Sequence, residues 1–482
     1  MNARMRRFAL LLFLSAASLT LLATNAQAPA PKPVYLSYAE AEPLLKTMAD
    51  GLPPELQQLD AKQLPAAWPG WVRGRDAEVR ARLAGGDLDS LANLTMFGTS
   101  FTRQPRFTPS YIAQVKSAHP GDPEAYAHQL DATLKTRAAD LARALASPGG
   151  NERLLFMRGV LARQGLAPAG SAGRAKLEQF LLTNVARVRE EYTRFAREVE
   201  EAQKQGNATD ELAQRAVLFR DRGISLDTSL LPNYALEESL AELKEMGLLP
   251  AGGVHRVAIV GPGLDFVDKS EGYDFYPQQT VQPFAVIDSL LRLGLAKPGQ
   301  LQVTTLDISE RVNRHIQGAR ARARLGEAYV AQLPRDAKAG WKPGAVAYWE
   351  HFGDQLGSPA KAVAVPAELG DVQVRAVRFP PAVVLQVTPA DLNVVYQRLP
   401  LPPGQGFDLV IATNILVYYD VFEQELALAN VQRMLAPGGI LLSNDILLEL
   451  PGARLHGVGY HTTVYSDRQG DGDQIFWYRL QP

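Results

Sequence analysis

Four short apolar runs, each meeting a turn or a polar residue at its end, constrain this chain more than any other feature. Val254 to Val260 stops at Gly261-Pro262-Gly263, and Leu301 to Leu306 stops at Asp307. Phe407 to Ala412 stops at Thr413-Asn414, and Ile440 to Ser443 follows Pro437-Gly438-Gly439. Runs this short and this apolar read as strands buried on both faces of a parallel sheet. In open sheets of that kind a ligand sits outside the carboxyl ends of the strands. Glycine, acid and amide at those ends are the residue types such a site uses.

Helical stretches separate the runs, as a parallel sheet requires. One helix is expected over Pro283 to Leu293, with Pro283 in its first turn. A second starts after Ser309, a plausible N-cap, and a third covers Val421 to Leu435. Residues 265–282 read as a long insertion and 334–370 as loop, with Trp341 and Trp349 in it. A third strand is expected somewhere within Val372 to Thr388. Tyr460–Ser466 and Gln474–Arg479 alternate in polarity across Asp467-Arg-Gln-Gly-Asp-Gly-Asp473, which makes a terminal hairpin. Its three acids read as a solvated tip, since the spacing of a calcium loop is missing.

The first half is different. Tyr126, Leu130, Leu134, Leu141 and Leu145 fall at helical spacings. So do Leu177, Leu181, Val185, Val188, Tyr192, Phe195 and Val199 along one stripe of Ala172 to Gln205. Residues 35–230 are expected to form a helical domain and 231–482 the sheet domain, led by a helix over Asn233 to Met246. Residues 29–34 are a Pro-rich linker.

Residues 1–28 carry Arg4, Arg6 and Arg7, an apolar stretch from Phe8 to Leu22, and small residues at Ala26 and Ala28. That is a secretory signal peptide pattern and implies a periplasmic or secreted protein. If the segment is not cut, residues 8–22 form a short membrane anchor. Taking those three arginines from the 50 basic residues leaves 47 against 51 acidic. Nothing in that balance grips nucleic acid. The chain has no cysteine, so disulfides and thiolate metal sites are excluded. Its seven histidines are dispersed, and no metal site is expected.

The order and residue types over roughly 233–482 resemble class I S-adenosylmethionine (SAM) methyltransferases. The Phe407 to Asp420 stretch is similar to strand 4 and its exit loop in the chemotaxis-receptor glutamate methyltransferases. Leu435-Ala-Pro-Gly-Gly-Ile-Leu-Leu442 matches the way that family enters its strand 5. The resemblance implies an α/β fold: a Rossmann-like seven-stranded mixed sheet closed by a C-terminal antiparallel hairpin, preceded by an all-α domain. It implies S-adenosyl-L-methionine as cofactor, held by Gly261, Pro262, Gly263, Asp265, Asp307, Ile308, Asp391, Leu392 and Asn414. Asp307 would take the ribose hydroxyls. Asp265 would stand in for the acid that the family has where this chain has Ile259. Asn414 and Tyr418 are the candidate catalytic residues.

The function implied is methyl transfer to an acceptor, small molecule or protein, that the sequence does not identify. An exported protein that keeps the fold without catalysis, as a binding or scaffold module, is the alternative. A nicotinamide oxidoreductase is a third, opposed by Phe266 at the third glycine position of a dinucleotide fingerprint. A membrane would be met only through an uncleaved N-terminal segment.

Overall fold

The computed structural model describes residues 31–205, 223–267, 273–468 and 470–481. The expected signal peptide or anchor, and the start of the linker, lie outside them. So do the side chains of Tyr192, Phe195 and Val199 in the long helical stripe. Among the described residues no helix is long and apolar enough to cross a membrane.

The described residues start with strand β1 (Val34–Tyr35), helix α1 (Tyr38–Thr47), a short α2 (Pro54–Gln57) and α3 (Leu64–Ala81). A helical bundle follows: α4 (Leu83–Phe97), α5 (Pro109–Ala118), α6 (Pro123–Ala146), α7 (Glu152–Arg163) and α8 (Gly170–Gln205). Helix α9 (Leu231–Glu245) leads into β2 (Arg256–Val260), α10 (Gln282–Arg292), β3 (Gln302–Asp307) and α11 (Glu310–Arg324). Then come β4 (Tyr329–Asp336), α12 (Pro343–His351), β5 (Ser358–Pro359), β6 (Val372–Phe379), the short α13 (Pro381–Val384), β7 (Val387–Asp391) and β8 (Gln397–Arg398). The chain closes with β9 (Phe407–Ala412), α14 (Val421–Met434), β10 (Leu435–Ser443), β11 (Leu455–Val464) and β12 (Gly472–Leu480).

Seven strands form one sheet in the order β11-β12-β10-β9-β2-β3-β7. The five from β10 to β7 are parallel, and β12 and β11 add an antiparallel hairpin. The expected Rossmann-like mixed sheet with its closing hairpin is therefore present. Successive side chains of a strand point to opposite faces, and the sheet uses both. Val257 and Ile259 pack with α9, α10 and α11, whereas Ala258 and Val260 pack with α1, α3 and α14.

This second face sets the organisation of the whole chain. Leu36, Ala41, Leu45, Trp68, Val72 and Val79 share one core with Leu306, Val410 and Leu441 of the sheet. β1 pairs with β8. The Trp68 indole donates to the Leu36 carbonyl at 2.8 Å, beneath a stacked Trp71. The first helices are thus a layer of the sheet structure and not part of a separate bundle. The bundle itself, α4 to α8, has its own core but also takes in Phe266 and Val267.

Two expected features fall differently. The stretch 334–370 is not loop: it holds the end of β4 and helix α12, which buries Tyr348 and Trp349. The third sheet strand is the short β7, while the longer alternating β6 joins β4 and β5 in a separate three-stranded sheet. That small sheet packs against α10 through stacked Phe284 and Phe379 rings, 4.6 Å between centroids.

Candidate functional site

A cavity of about 720 Å³ opens at the carboxyl ends of the parallel strands. The strand tips line it in sheet order: Ile308 and Asp307 after β3, Gly261 and Gly263 after β2, Thr413 and Asn414 after β9, Asn444 and Asp445 after β10. Leu392 comes from the end of β7, and Asp473 and Phe476 from β12. Residues 224–229 run over the glycine turn and complete the wall.

The glycines are needed for backbone shape and for close packing. Gly261 and Gly263 have φ of 63° and 65°, where a Cβ is disfavoured. A Cβ on Gly261 would lie 2.2 Å from Ile415 Cδ1, and one on Gly263 would lie 2.5 Å from the Leu226 carbonyl. Leu226 O also accepts from Leu264 N–H at 2.9 Å, which ties the covering segment to the turn. Pro262 between them is buried and is not on the cavity wall.

Asp307 is the most informative group. It is 3% exposed, and Oδ1 accepts the Ser309 N–H at 2.7 Å. Oδ2 is buried with no hydrogen-bond partner. Burial pushes the carboxyl up to about 7; the Ser309 and Gly263 N–H groups pull it down, Asp391 pushes it further up, and Arg311 pulls it down. The Gly263 N–H thus acts on the carboxylate without bonding Oδ2, and a buried acceptor left without a bond is expensive. Ser309 also accepts from Val312 N–H and caps α11, as its position in the sequence predicts.

The other expected residues divide. Ile308, Leu392 and Tyr418 line the cavity. Asn414 stands at its mouth with φ 58°, a left-handed conformation that asparagine tolerates. Its N–H donates to Asn444 Oδ1 at 3.0 Å. Tyr418 ends a single 3-10 turn, Leu416–Tyr418, whose last carbonyl is taken by Arg82 Nη2 at 2.9 Å. Asp391 lies in register with Asp307, but its carboxylate meets Arg80 Nη1 of α3 at 2.7 Å and is not on the wall. Asp265 is also placed elsewhere. Its carboxylate accepts Tyr276 Oη–H at 2.6 Å and Gln279 Nε2–H at 3.0 Å, and it lines a second cavity of about 140 Å³. The two cavities share Thr228, Ser229 and Pro232.

Sequence reasoning missed three contributors. Residues 224–229 had no motif to mark them. Asn444 carried no motif of its own, and the strand that precedes it ends at Ser443. Asp473 read as part of a solvated hairpin tip, but it is half-buried in the cavity wall. Asn444 Nδ2 donates to its Oδ1 at 3.2 Å and the Tyr465 hydroxyl to its Oδ2 at 2.5 Å. Asp467 and Asp471 remain at the tip, paired with Lys342 and Arg468. The hint available in sequence was register: Asp473 is the second residue of its strand, beyond the turn.

The wall has a one-sided charge. Asp227, Asp307, Asp445 and Asp473 line it, and no Lys, Arg or His does among the described residues. No group of three or more metal-ligating side chains is found among the described residues either.

No family model matches the chain, and no curated protein matches it. Solved structures with some likeness include the N-methyltransferase NodS from Bradyrhizobium japonicum WM9, at 14% identity and TM-score 0.24, covering 51% of this chain and 98% of that one. Magnesium protoporphyrin IX methyltransferase ChlM from Synechocystis PCC 6803, with bound SAM, has 12% identity and TM-score 0.24 over 52% of this chain and 79% of its own. The glycopeptide N-methyltransferase MtfA complexed with SAM has 12% identity and TM-score 0.24 over 53% and 96%. These likenesses are weak, and the functional reading rests on the cavity itself.

Proposed function

We propose that this chain is a SAM-dependent methyltransferase whose cofactor lies over the tips of β2, β3, β7 and β9. The observation that carries the reading is Asp307, a residue of the cavity wall whose buried Oδ2 has no hydrogen bond within the fold. A carboxylate at the end of the second strand of such a sheet is placed to accept from ribose hydroxyls. Ile308 and Leu392 give an apolar seat for a base beside it. The acid-only wall favours a cation and disfavours a pyrophosphate, which separates SAM from a dinucleotide. Phe266 supports the same choice: it is fully buried against Phe156 in the helical bundle, where a fingerprint glycine would have opened the turn.

When bound, SAM supplies a methyl group already activated on a sulfonium. The chain then has to orient an acceptor, shape the charge and keep water out. Asn414, with its backbone pinned by Asn444, and Tyr418 border the mouth where an acceptor would arrive.

Isothermal titration of the full chain with SAM and S-adenosylhomocysteine tests this. Binding is expected, and Asp307→Ala should weaken it at least tenfold, since hydrogen bonds to a charged group contribute about 1.5–3 kcal/mol. Absence of binding at millimolar ligand, or equal affinity in the variant, would count against the cofactor assignment.

A further inference from the structure

The cavity is longer than an adenosine seat. From β3 to β12 it crosses four strand spacings, about 19 Å at the usual separation of hydrogen-bonded strands. Asp307 marks the adenosine end and Asn414 the middle, which leaves roughly two spacings, about 10 Å, from β9 to β12. Asn444, Asp445, Ile446, Asp473, Gln474 and Phe476 line this outer part.

Two of those six are carboxylic acids. Asp473 is held by the Asn444 amide and the Tyr465 hydroxyl, one bond to each carboxylate oxygen. Burial raises its pKa, with the Tyr465 hydroxyl opposing. The rim beyond is apolar and open to solvent. Ile446 is 53% exposed, and Tyr460 is 57% exposed with its ring 5.7 Å from that of Phe476. Exposed apolar groups clustered at a cavity mouth mark a binding surface.

Resting on the reading of this cavity as a SAM site, we infer that the methyl acceptor is an amine carried on an apolar body, recognised by Asp445 and Asp473 with Phe476, Tyr460 and Ile446 against its carbon frame. The charge accounting favours an amine over an acid or phenolate. An amine bound by these acids arrives as an ammonium and would first give one proton to water, which frees the nitrogen lone pair. A nitrogen–carbon bond would then form as the carbon–sulfur bond breaks, with sulfur keeping that electron pair and the nitrogen carrying the charge as methylammonium. Positive charge would thus pass from sulfur to nitrogen beside the carboxylates. An anionic acceptor would enter an outer wall lined by Asp445 and Asp473 and by no basic side chain among the described residues, and like charges repel.

The test is binding, with S-adenosylhomocysteine at saturation. Full-length protein is titrated calorimetrically with 2-phenylethylamine, 2-phenylethanol and 3-phenylpropionate, three probes of one frame with different head groups. The amine is expected to bind at least tenfold more tightly than the alcohol or the acid. Asp473→Asn and Asp445→Asn should each weaken the amine severalfold, and by more than they weaken S-adenosylhomocysteine. Equal binding of the acid or alcohol, no amine binding at millimolar concentration, or indifference to both substitutions overturns the inference and leaves the cofactor reading standing. Failure of S-adenosylhomocysteine to bind the unaltered protein overturns both. If a variant loses S-adenosylhomocysteine binding and so its fold, the probe series on the unaltered protein decides.

Discussion

Burial pushes the Asp307 carboxyl up to about 7, against the pull of two backbone N–H groups. The folded chain therefore keeps a proton that the unfolded chain releases near pH 4. Its contribution to stability is complete below about pH 4 and is lost as pH rises through about 7. Ligand hydroxyls favour the ionised form, so ligand binding has the opposite dependence. S-adenosylhomocysteine affinity should rise about tenfold per pH unit from 5 toward 7 and then level off. Calorimetry across that range checks it, and a flat profile would remove Asp307 from the contact. This residue was legible in sequence because a lone acid ends a buried apolar run. Asp473 was not, because an acid in an acidic hairpin looks solvated until the register of the hairpin against β10 places it. Asp265 sits one residue beyond a glycine turn, and only the fold shows that its carboxylate is turned toward Tyr276 and Gln279.

Among elements, β2, β3 and β9 were readable from their own composition, since a strand buried on both faces is apolar throughout. β7 was hidden for a physical reason. It is a sheet edge, where Pro389 is tolerated and burial is incomplete. The span Val372 to Thr388 left the strand's place open because it also holds Val372 to Phe379, which belongs to the separate small sheet. Helix α14 carries a second buried acid. Glu425 is 6% exposed, one of its carboxylate oxygens has no partner, and burial alone pushes it to about 8. Its folded pKa is raised, so stability falls as pH climbs from the ordinary glutamate range through about 8. Glu425→Gln should melt like the unaltered protein at pH 5 and several degrees higher at pH 9. Equal melting at pH 9, followed by circular dichroism, would mean the charge is relieved in the fold.

Over the whole molecule, the division into a helical half and a sheet half is less sharp than composition suggests. The helices between Tyr38 and Ala81 cover one face of the sheet and share its core. A 231–482 fragment would expose that face and lose the 224–229 segment over the glycine turn. It is expected to bind a hydrophobic dye and show no cooperative melt. A soluble fragment with a sharp transition would show that the sheet closes that face by itself. Periodicity could identify the early helices but not their partners, because an apolar stripe does not say which surface it meets. The cavity's charge has a last consequence for selectivity among abundant metabolites. Adenine triphosphates share the sugar and base that Asp307, Ile308 and Leu392 would grip, yet they bring several negative charges to a wall made of aspartates. On the proposed reading, such a lining would disfavour that competitor without any dedicated barrier and leave the seat to an adenosine whose tail is positively charged.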